Sequence, residues 1–575
     1  MGAQSDLGGR VEGATRGEEE EDRQRNDGVA LNLNNASDFG ARSDTSHPRS
    51  ARALGLKRAE NFGALVQATR TLTLEDLASF CARRGFFFPS GRIYGGLRGF
   101  YDYGPLGAEL RKEVLDDWWY YFVRRRVDVV GIHGCIITHP RTWEASGHAE
   151  AFFDYLVTCT RCGKEYRADH LLEDLGIKVS TLSAESISSL IKERGVRCPE
   201  CGGELGEPTP FNLMFTTYVG PKRTKANEAY LRPETAQLIF LNFKDVYYTM
   251  GAKLPFGIAQ IGTVFRNEIS PRGFLFRLRE FTQMEIEYFV NPKKLDDCPL
   301  FDEVAQMKVK LLSAETQEAG SEEHATLTLQ EAWESGLVKA KWHAYWIGES
   351  LKWLSRIGID LEKIRVREHV RSELAHYAIQ TFDIEYYFSS MGWKEIVGIS
   401  NRGDYDLRRH QEYSGKSMAV EDGAELVIPY VIEPSFGLER VLLALLVDAY
   451  KVSGGRPLLS LRPCIAPIKV AVFPIVDKPE FIEKTWKIYV RIKEHFTAIF
   501  EEKGTIGRRY YSADEIGVPF AVTVDGRTLE DDTVTIRFRD TKEQIRVHVD
   551  ELIPTLKRLT EQEEGSWRSG AGAGI

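Results

Sequence analysis

The chain has 575 residues, 43% of them apolar and 28% charged, proportions that exclude wholesale disorder and fibrous repeats. At roughly 150 residues per domain the length allows about three or four domains, and no apolar run approaches the roughly 18 residues that span a bilayer. The formal net charge of −9 excludes a protein that coats nucleic acid through its global charge, so any such partner is expected to sit on local cationic patches.

In chain order, residues 1–72 are rich in Gly, Ser, Arg and acids, including the run Glu18 to Asp22, with no sustained apolar period; the composition predicts a disordered extension. The acidic run argues against a transit peptide, and no apolar segment supports a secretory signal. Thr73 followed three residues later by Asp76 predicts a helix start leading into Leu77, Phe80 and Cys81. Tyr103 to Gly107 breaks the chain before an amphipathic helix over Ala108 to Arg126, whose Leu110, Val114, Trp118, Trp119 and Phe122 form an apolar side. A strand is expected over Val127 to Thr138, and an insertion over residues 156–214. A β-rich region with segments Phe256 to Phe265 and Phe274 to Phe289 follows.

Glu303 to Leu361 is expected to be mostly helical. Strands are expected at Ile384 to Tyr387, Glu395 to Ile399 and Val427 to Ile432, then an apolar helix over Leu438 to Tyr450. After a Gly-Pro linker near Gly454, strand Ile468 to Val476, helix Phe481 to Phe500 and strands Phe520 to Val524 and Val534 to Phe538 predict a separate α/β domain of about 100 residues over 466–560. Residues 561–575 are expected to form a flexible tail.

Of eight cysteines, four form two close pairs, Cys159/Cys162 and Cys198/Cys201, each beside Gly and basic residues. This spacing makes two knuckle turns that can surround one tetrahedral Zn²⁺, and four thiolates leave no open position, so the metal would be structural. Four unligated thiols are the alternative. A long, cysteine-poor chain is not a disulfide framework, and a reducing, cytoplasmic setting fits better.

Phe265-Arg266-Asn267-Glu268, the turn Ser270-Pro271-Arg272-Gly273 and the return Phe276 to Phe281 predict a hairpin. Strand alternation would put Arg266, Glu268, Arg277, Arg279 and Phe281 on one surface, where cations suit phosphate, a carboxylate an amino group and a ring a base. A salt-laced surface hairpin is the other reading. In Glu433 to Arg440 a strand bearing Glu runs through Pro, Ser and Gly into a helix bearing Arg; alone, this pattern also describes an ordinary helix cap.

Taken together, Arg232-Pro233-Glu234-Thr235-Ala236-Gln237, the Arg266 hairpin and Glu433 to Arg440 resemble the second and third signature motifs of class II aminoacyl-tRNA synthetases. Phe86 to Ser90, Ile93 to Gly96, Tyr101 to Gly107 and Ala375 to Ala378 are similar to the homodimeric, glycine-specific branch of that class. The resemblance covers roughly residues 73 to 560. It implies an α+β catalytic domain over 73–460, built on an antiparallel sheet with flanking helices, and a C-terminal α/β anticodon-binding domain. It also implies activation of glycine with ATP and Mg²⁺ and transfer to tRNA(Gly), by a homodimer in the cytoplasm.

The same resemblance implies the site residues. Arg266 would hold the α-phosphate, Glu268 the adenine amino group, and Arg440 the region of adenine and the γ-phosphate; these three would be catalytic. The ATP site would further take in Asn267, Phe276, Arg277, Leu278, Arg279, Glu280 and Phe281, which stacks on adenine, then Glu395 and Ile396, and Gly437, Leu438 and Glu439. Glycine would be bound by Arg167, Glu234, Phe281, Thr282, Gln283, Met284, Glu285, Glu433, Pro434, Ser435, Phe436 and Gly437, with Glu234 and Glu285 on the ammonium. Little weight falls on Glu439. The helix after Ala108 would be the dimer-forming motif, although its Trp and Leu stripe suits a core equally. His376 reads as a satisfied pocket residue, and His133, His139 and His148 as structural. A catalytically dead paralogue and an enzyme for serine, threonine or proline are the competing readings; retention of Arg266, Glu268 and Arg440 opposes the first, and Glu234, Glu285 and Ser435 together oppose the second.

Overall fold

The computed structural model describes residues 72–173 and 183–561; the extension and tail expected at the two ends fall outside them apart from their innermost residues. Thr73 caps the first helix, Leu74–Arg83, its side chain accepting from the Asp76 backbone N–H at 3.1 Å, and Leu77, Phe80 and Cys81 are buried as the period required. The next helix, Pro105–Trp119, buries Leu110, Val114 and Trp118 and runs on into a wider turn, Tyr120–Arg124. Its stripe belongs to the core of this chain: Trp118 and Phe122 pack on Phe436. The helix can approach because Gly107 has no side chain, since a Cβ there would lie 1.9 Å from the Phe86 carbonyl.

Nine strands form the central sheet, in the spatial order Ala325–Thr328, Lys308–Leu312, Ile364–Glu368, Gln380–Phe388, Gly392–Gly403, Tyr430–Gly437, Glu280–Val290, Phe256–Phe265 and Val129–Ile132. Neighbours are antiparallel except for one parallel pair near each edge. Along Glu280–Val290 the period of two separates the faces. Met284, Ile286, Tyr288 and Val290 join the main apolar core with helices Lys341–Ile357 and Leu438–Ala449, whereas Phe289, on the other face, packs under helix Ala236–Thr249 with Phe240 and Phe243. Phe281, Gln283 and Glu285 share that second face but lie beyond the helix and line an open cleft.

Three expectations are corrected. Glu303 to Leu361 is helical only in part, because beside its helices it supplies Ala325–Thr328, the edge strand of the central sheet, and Lys308–Leu312 next to it; Val309 and Leu311 are buried while Lys308 and Lys310 between them are more open, a period of two. The strand expected at Val127 to Thr138 is two pieces, Val129–Ile132 and Ile137–Thr138, in different sheets. Helix Pro479–Lys493 stops short of Phe500, and Ala498–Phe500 is a strand.

The cysteine region forms a small sheet of Phe153–Thr158, Glu165–Arg167 and Thr209–Asn212 with helix Ala184–Glu193 over its own apolar cluster. Toward the C-terminus a second sheet has the order Ala498–Phe500, Val470–Pro474, Phe520–Val524, Thr533–Phe538 and Gln544–His548. Its first three strands are parallel and the last two antiparallel. It is joined to the larger body by Arg539, whose guanidinium donates to the carbonyls of Gly517 and Leu461 at 2.8 and 2.7 Å, and by the Lys469–Glu113 pair at 3.1 Å.

Candidate active site

The cleft on the open face of the large sheet has an acidic end and a cationic end. Delivery of the acidic end begins with Arg232, which is fully buried and donates to the carbonyls of Thr263 and Gly134 at 2.8 and 2.9 Å. Gly262 makes room for it, because a Cβ there would stand 2.2 Å from the guanidinium. Arg232 is thus a strut for the residues that follow Pro233: Glu234 faces the cleft, and Thr235 donates its hydroxyl and its backbone N–H to Glu285 Oε2. Glu285 Oε1 accepts from the Ser435 hydroxyl at 2.7 Å.

The charge in this end is organised by a residue that no sequence motif singled out. Arg402, with a side chain 1% exposed, donates to both oxygens of Asp406 at 2.8 and 3.0 Å and to both oxygens of Glu433 at 3.0 Å. Its guanidinium lies 3.8 Å from the Tyr377 ring centre and 4.0 Å from Glu234 Oε1. Burial opposes ionisation of Glu234, yet His148, at 3.1 Å, and Arg402 hold its carboxyl well below the usual range. Burial and the neighbouring charges of Glu285 and Glu234 raise the Glu433 carboxyl, against which Arg402, donating to both its oxygens, favours the ionised form, and burial followed by Glu234 raises Glu285. Several acids compete for few cations here, an arrangement suited to an incoming ammonium.

At the other end the two strands of the expected hairpin pair, Phe265 opposite Glu280, but the connection is a long loop over residues 266–279 rather than a short turn. The strand ends at Phe265 and resumes only at Glu280, with a single isolated bridge, Arg272 to Arg277, between them; Pro271, Gly273 at φ 74 and Phe274 at φ 56 turn the chain out of the sheet. Alternation therefore does not sort these residues. Arg266, Glu268, Arg277 and Phe281 do line the cleft, with Phe276 and Leu278, but Arg279 turns away and donates to the carbonyls of Glu268 and Arg98, holding the loop. The Arg266 guanidinium is 5.3 Å from the Phe281 ring centre, and its Nε donates to the Pro233 carbonyl at 3.0 Å. Glu268 is buried near Arg167 and Arg277, at 3.7 and 4.0 Å, and its Oε2 has no hydrogen-bond partner within the protein. That orphan acceptor fits an amino donor from a bound base.

Arg440 closes the far wall. It donates to the Glu395 carboxylate at 2.7 Å and lies over the Phe276 ring at 4.7 Å. Glu395 reaches the cleft because of a β-bulge: the register with the preceding strand slips between Ile384 and Glu385, so Glu395 shares a face with Gly398 and Ser400. Beside it, burial and the Glu395 charge push Asp383 up to about 6, with His369 hydrogen-bonded to it at 2.8 Å.

The remaining residues sort by strand parity. Gln283, Glu433, Ser435 and Gly437 line the cleft, whereas Met284, Phe436, Leu438 and Ile396 point into the apolar core. The side chains of Thr282 and Pro434 likewise stay out of the cleft lining, as do those of Asn267 and Glu280. Arg167 is engaged by Asp154 at 2.8 Å and by Asp169, which sets it beside Glu268 rather than among the acids. Glu439, given little weight above, is a buried clamp: it accepts from the Tyr103 hydroxyl at 2.7 Å and the Thr282 backbone N–H at 2.9 Å. His139 caps helix Pro140–Ser146, and His376 meets the Ser146 carbonyl at 3.3 Å. His148, read above as structural, meets Glu234, and Tyr377 lies within the motif Ala375 to Ala378; Arg402, Asp406, His369 and Asp383 carry no motif, because each is an isolated polar residue whose partners come from distant segments, and only the density of charge in Asn401-Arg402-Gly403-Asp404-Tyr405-Asp406 hints at the first two.

The four cysteines converge. Cys159 and Cys201 sulfurs are 3.5 Å apart and those of Cys162 and Cys198 3.7 Å, and all four lie within 4.8 Å of one another. Tetrahedral Zn²⁺ with bonds of about 2.3 Å needs sulfurs about 3.8 Å apart, so the cluster fits such an ion. Among the described residues no helix is long and apolar enough to cross a membrane.

Fold and cleft together define a class II aminoacyl-tRNA synthetase: the family described as "tRNA synthetase class II core domain (G, H, P, S and T)" matches residues 218–449, and "Anticodon binding domain" matches 469–559. A solved structure of the RNA-binding domain of threonyl-tRNA synthetase from Cryptosporidium parvum Iowa II shares the fold at 16% identity and a TM-score of 0.51, covering 84% of this chain and 97% of that one. Sequence relatives narrow the class. Glycine–tRNA ligases of Aeropyrum pernix, Caldanaerobacter subterraneus and Pyrococcus horikoshii are 40%, 43% and 41% identical, each over 84% of this chain and 96%, 97% and 98% of their own lengths. The chain belongs to the glycine–tRNA ligase family.

Proposed function

We infer that this chain activates glycine with ATP, forming glycyl-adenylate and diphosphate, and then transfers glycine to the 3′ end of tRNA(Gly). The observation that carries the reading is the polarity of the cleft, acids at Glu234, Glu285 and Glu433 at one end and the cations Arg266 and Arg440 at the other. Glycine offers an ammonium, a carboxylate and two hydrogens. The acids with Ser435 would hold its ammonium, which points its carboxylate at Arg266 and the α-phosphate. A carboxylate oxygen attacks phosphorus, the bond to the bridging oxygen breaks and diphosphate leaves; the ribose hydroxyl of tRNA next attacks the carbonyl carbon and AMP leaves. No side-chain nucleophile takes part, so rate comes from alignment and charge compensation, Arg266 offsetting charge that grows at phosphorus. Glu268 would accept from the adenine amino group. Glu395 would hold Mg²⁺, which neutralises phosphate charge when bound with ATP.

We place the C-terminal sheet on the anticodon, zinc on the four cysteines as a structural ion, and the chain in a cytoplasmic homodimer, a setting suited to cysteines free of disulfides. ATP–pyrophosphate exchange with a panel of amino acids tests the central reading: exchange confined to glycine is expected, and exchange with serine, threonine or proline instead, or none at all, would refute it. Metal analysis should find about one Zn²⁺ per chain.

A further inference from the structure

Below the acids already placed on the ammonium lies another, Glu287. It is fully buried on strand Glu280–Val290, one step of two beyond Glu285, and neither of its carboxyl oxygens has a hydrogen-bond partner within the protein. The register that pairs Glu285 with Ser435 and Tyr288 with Ile432 sets Glu287 opposite Glu433 on the adjoining strand, and one oxygen from each of Glu285, Glu287 and Glu433 fits within 4.8 Å. The charged groups around it are Glu285 on its own strand, Glu433 on the next, Arg402 beyond that, and Asp406 on helix Tyr405–Ser414. Arg402 is already shared between Asp406 and Glu433. A third full negative charge here would be buried and uncompensated, which costs far more than retaining a proton.

We propose that Glu287 is a neutral carboxylic acid in the working enzyme and a positioning residue for the amino-acid pocket, its O–H donating to the Glu433 carboxylate across the two strands. A carboxylate that accepts from both Arg402 and this hydroxyl is fixed in orientation, and the pocket reaches its working charge without another anion. Burial, then the Glu433 charge, push the Glu287 carboxyl well above its ordinary range, and Arg402 only partly opposes them. The direction of the linkage follows: the unfolded chain ionises near the ordinary value of about 4.3 while the folded chain keeps the proton, so stability falls as pH rises above about 4.3.

The proposal rests on glycine occupying this pocket, and the test keeps the two apart. Using the full-length, metal-loaded enzyme, the infrared difference spectrum between wild type and Glu287→Gln at pH ~7.5 should contain a protonated carboxyl stretch contributed by the wild type. In kinetics, Glu287→Ala should raise KM for glycine about tenfold, the cost of one charge-assisted hydrogen bond, with KM for ATP little moved, and Glu287→Gln, a neutral donor of the same shape, should recover most of that loss. Heating the two proteins should give Glu287→Gln a melting temperature advantage that widens from pH 5 to pH 8. A missing carboxyl band, or Glu287→Gln as impaired for glycine as Glu287→Ala, would overturn the neutral-acid assignment. Separately, a glycine KM insensitive to Glu234→Gln would remove glycine from this pocket, whatever the infrared spectrum says of Glu287. If Glu287→Ala does not fold, the spectrum and the Glu287→Gln comparison still decide the question.

Discussion

The two large sheets of this protein use their faces differently. In the C-terminal sheet, strands Val470–Pro474 and Phe520–Val524 are buried along their whole length, and most of their side chains are apolar on both faces. The central sheet is apolar along one face; its other face is apolar only where helix Ala236–Thr249 covers it, and beyond the helix it carries Glu285, Glu287, Glu433 and Arg402 deep in the protein. Burying ions on a sheet is expensive unless each finds a partner, and the charges there fit the polar substrates they would hold. A packed sheet can lend its edges and loops to an RNA, whereas the chemistry is concentrated where the sheet itself is polar.

The contrast can be broken at the charged face first. Arg402→Met would leave Asp406 and Glu433 uncompensated, and denaturant unfolding should show a loss of about 3–5 kcal/mol together with a raised KM for glycine. Arg266→Ala should leave melting almost untouched while pyrophosphate exchange falls by roughly 10²–10³-fold; retained exchange would refute its role at the α-phosphate. Proton linkage sharpens the picture at Asp383. Its carboxyl, pushed up to about 6, keeps a proton that the unfolded chain gives up near pH ~4, so it contributes stability that is lost as pH rises through that window. Wild type should therefore lose stability relative to Asp383→Asn between those pH values and not above them, as measured by paired thermal melts. The smallest effect is expected in the apolar sheet, where Ile536, fully buried, supplies packing alone: Ile536→Val should cost about 0.5–1.5 kcal/mol and leave pyrophosphate exchange unchanged.

Local signals were legible where chemistry and contiguity coincide. Thr73 announced its helix, the two cysteine pairs their convergence, and the apolar run after Gly437 the helix Leu438–Ala449. Segments were harder where two periods compete: residues 308–312 alternate like a strand inside a stretch of helical composition. Motif runs overstated the cleft, because Met284, Phe436 and Leu438 lie between cleft residues in sequence but on the opposite face in space.

By itself the sequence determined which residue types were available and in what order, enough to place the acids Glu234, Glu285 and Glu433 and the cations Arg266 and Arg440 in one functional set. Tertiary structure alone decided which of them meet, because strand parity, the bulge that turns Glu395 inward and the loop that carries Arg279 away arise from pairing between distant segments. It also decided the charge state of the cleft. Arg402 lies far along the chain from Glu234 and on a different strand from Glu433, and a buried ion is tolerated only where folding brings its partner within a few ångströms.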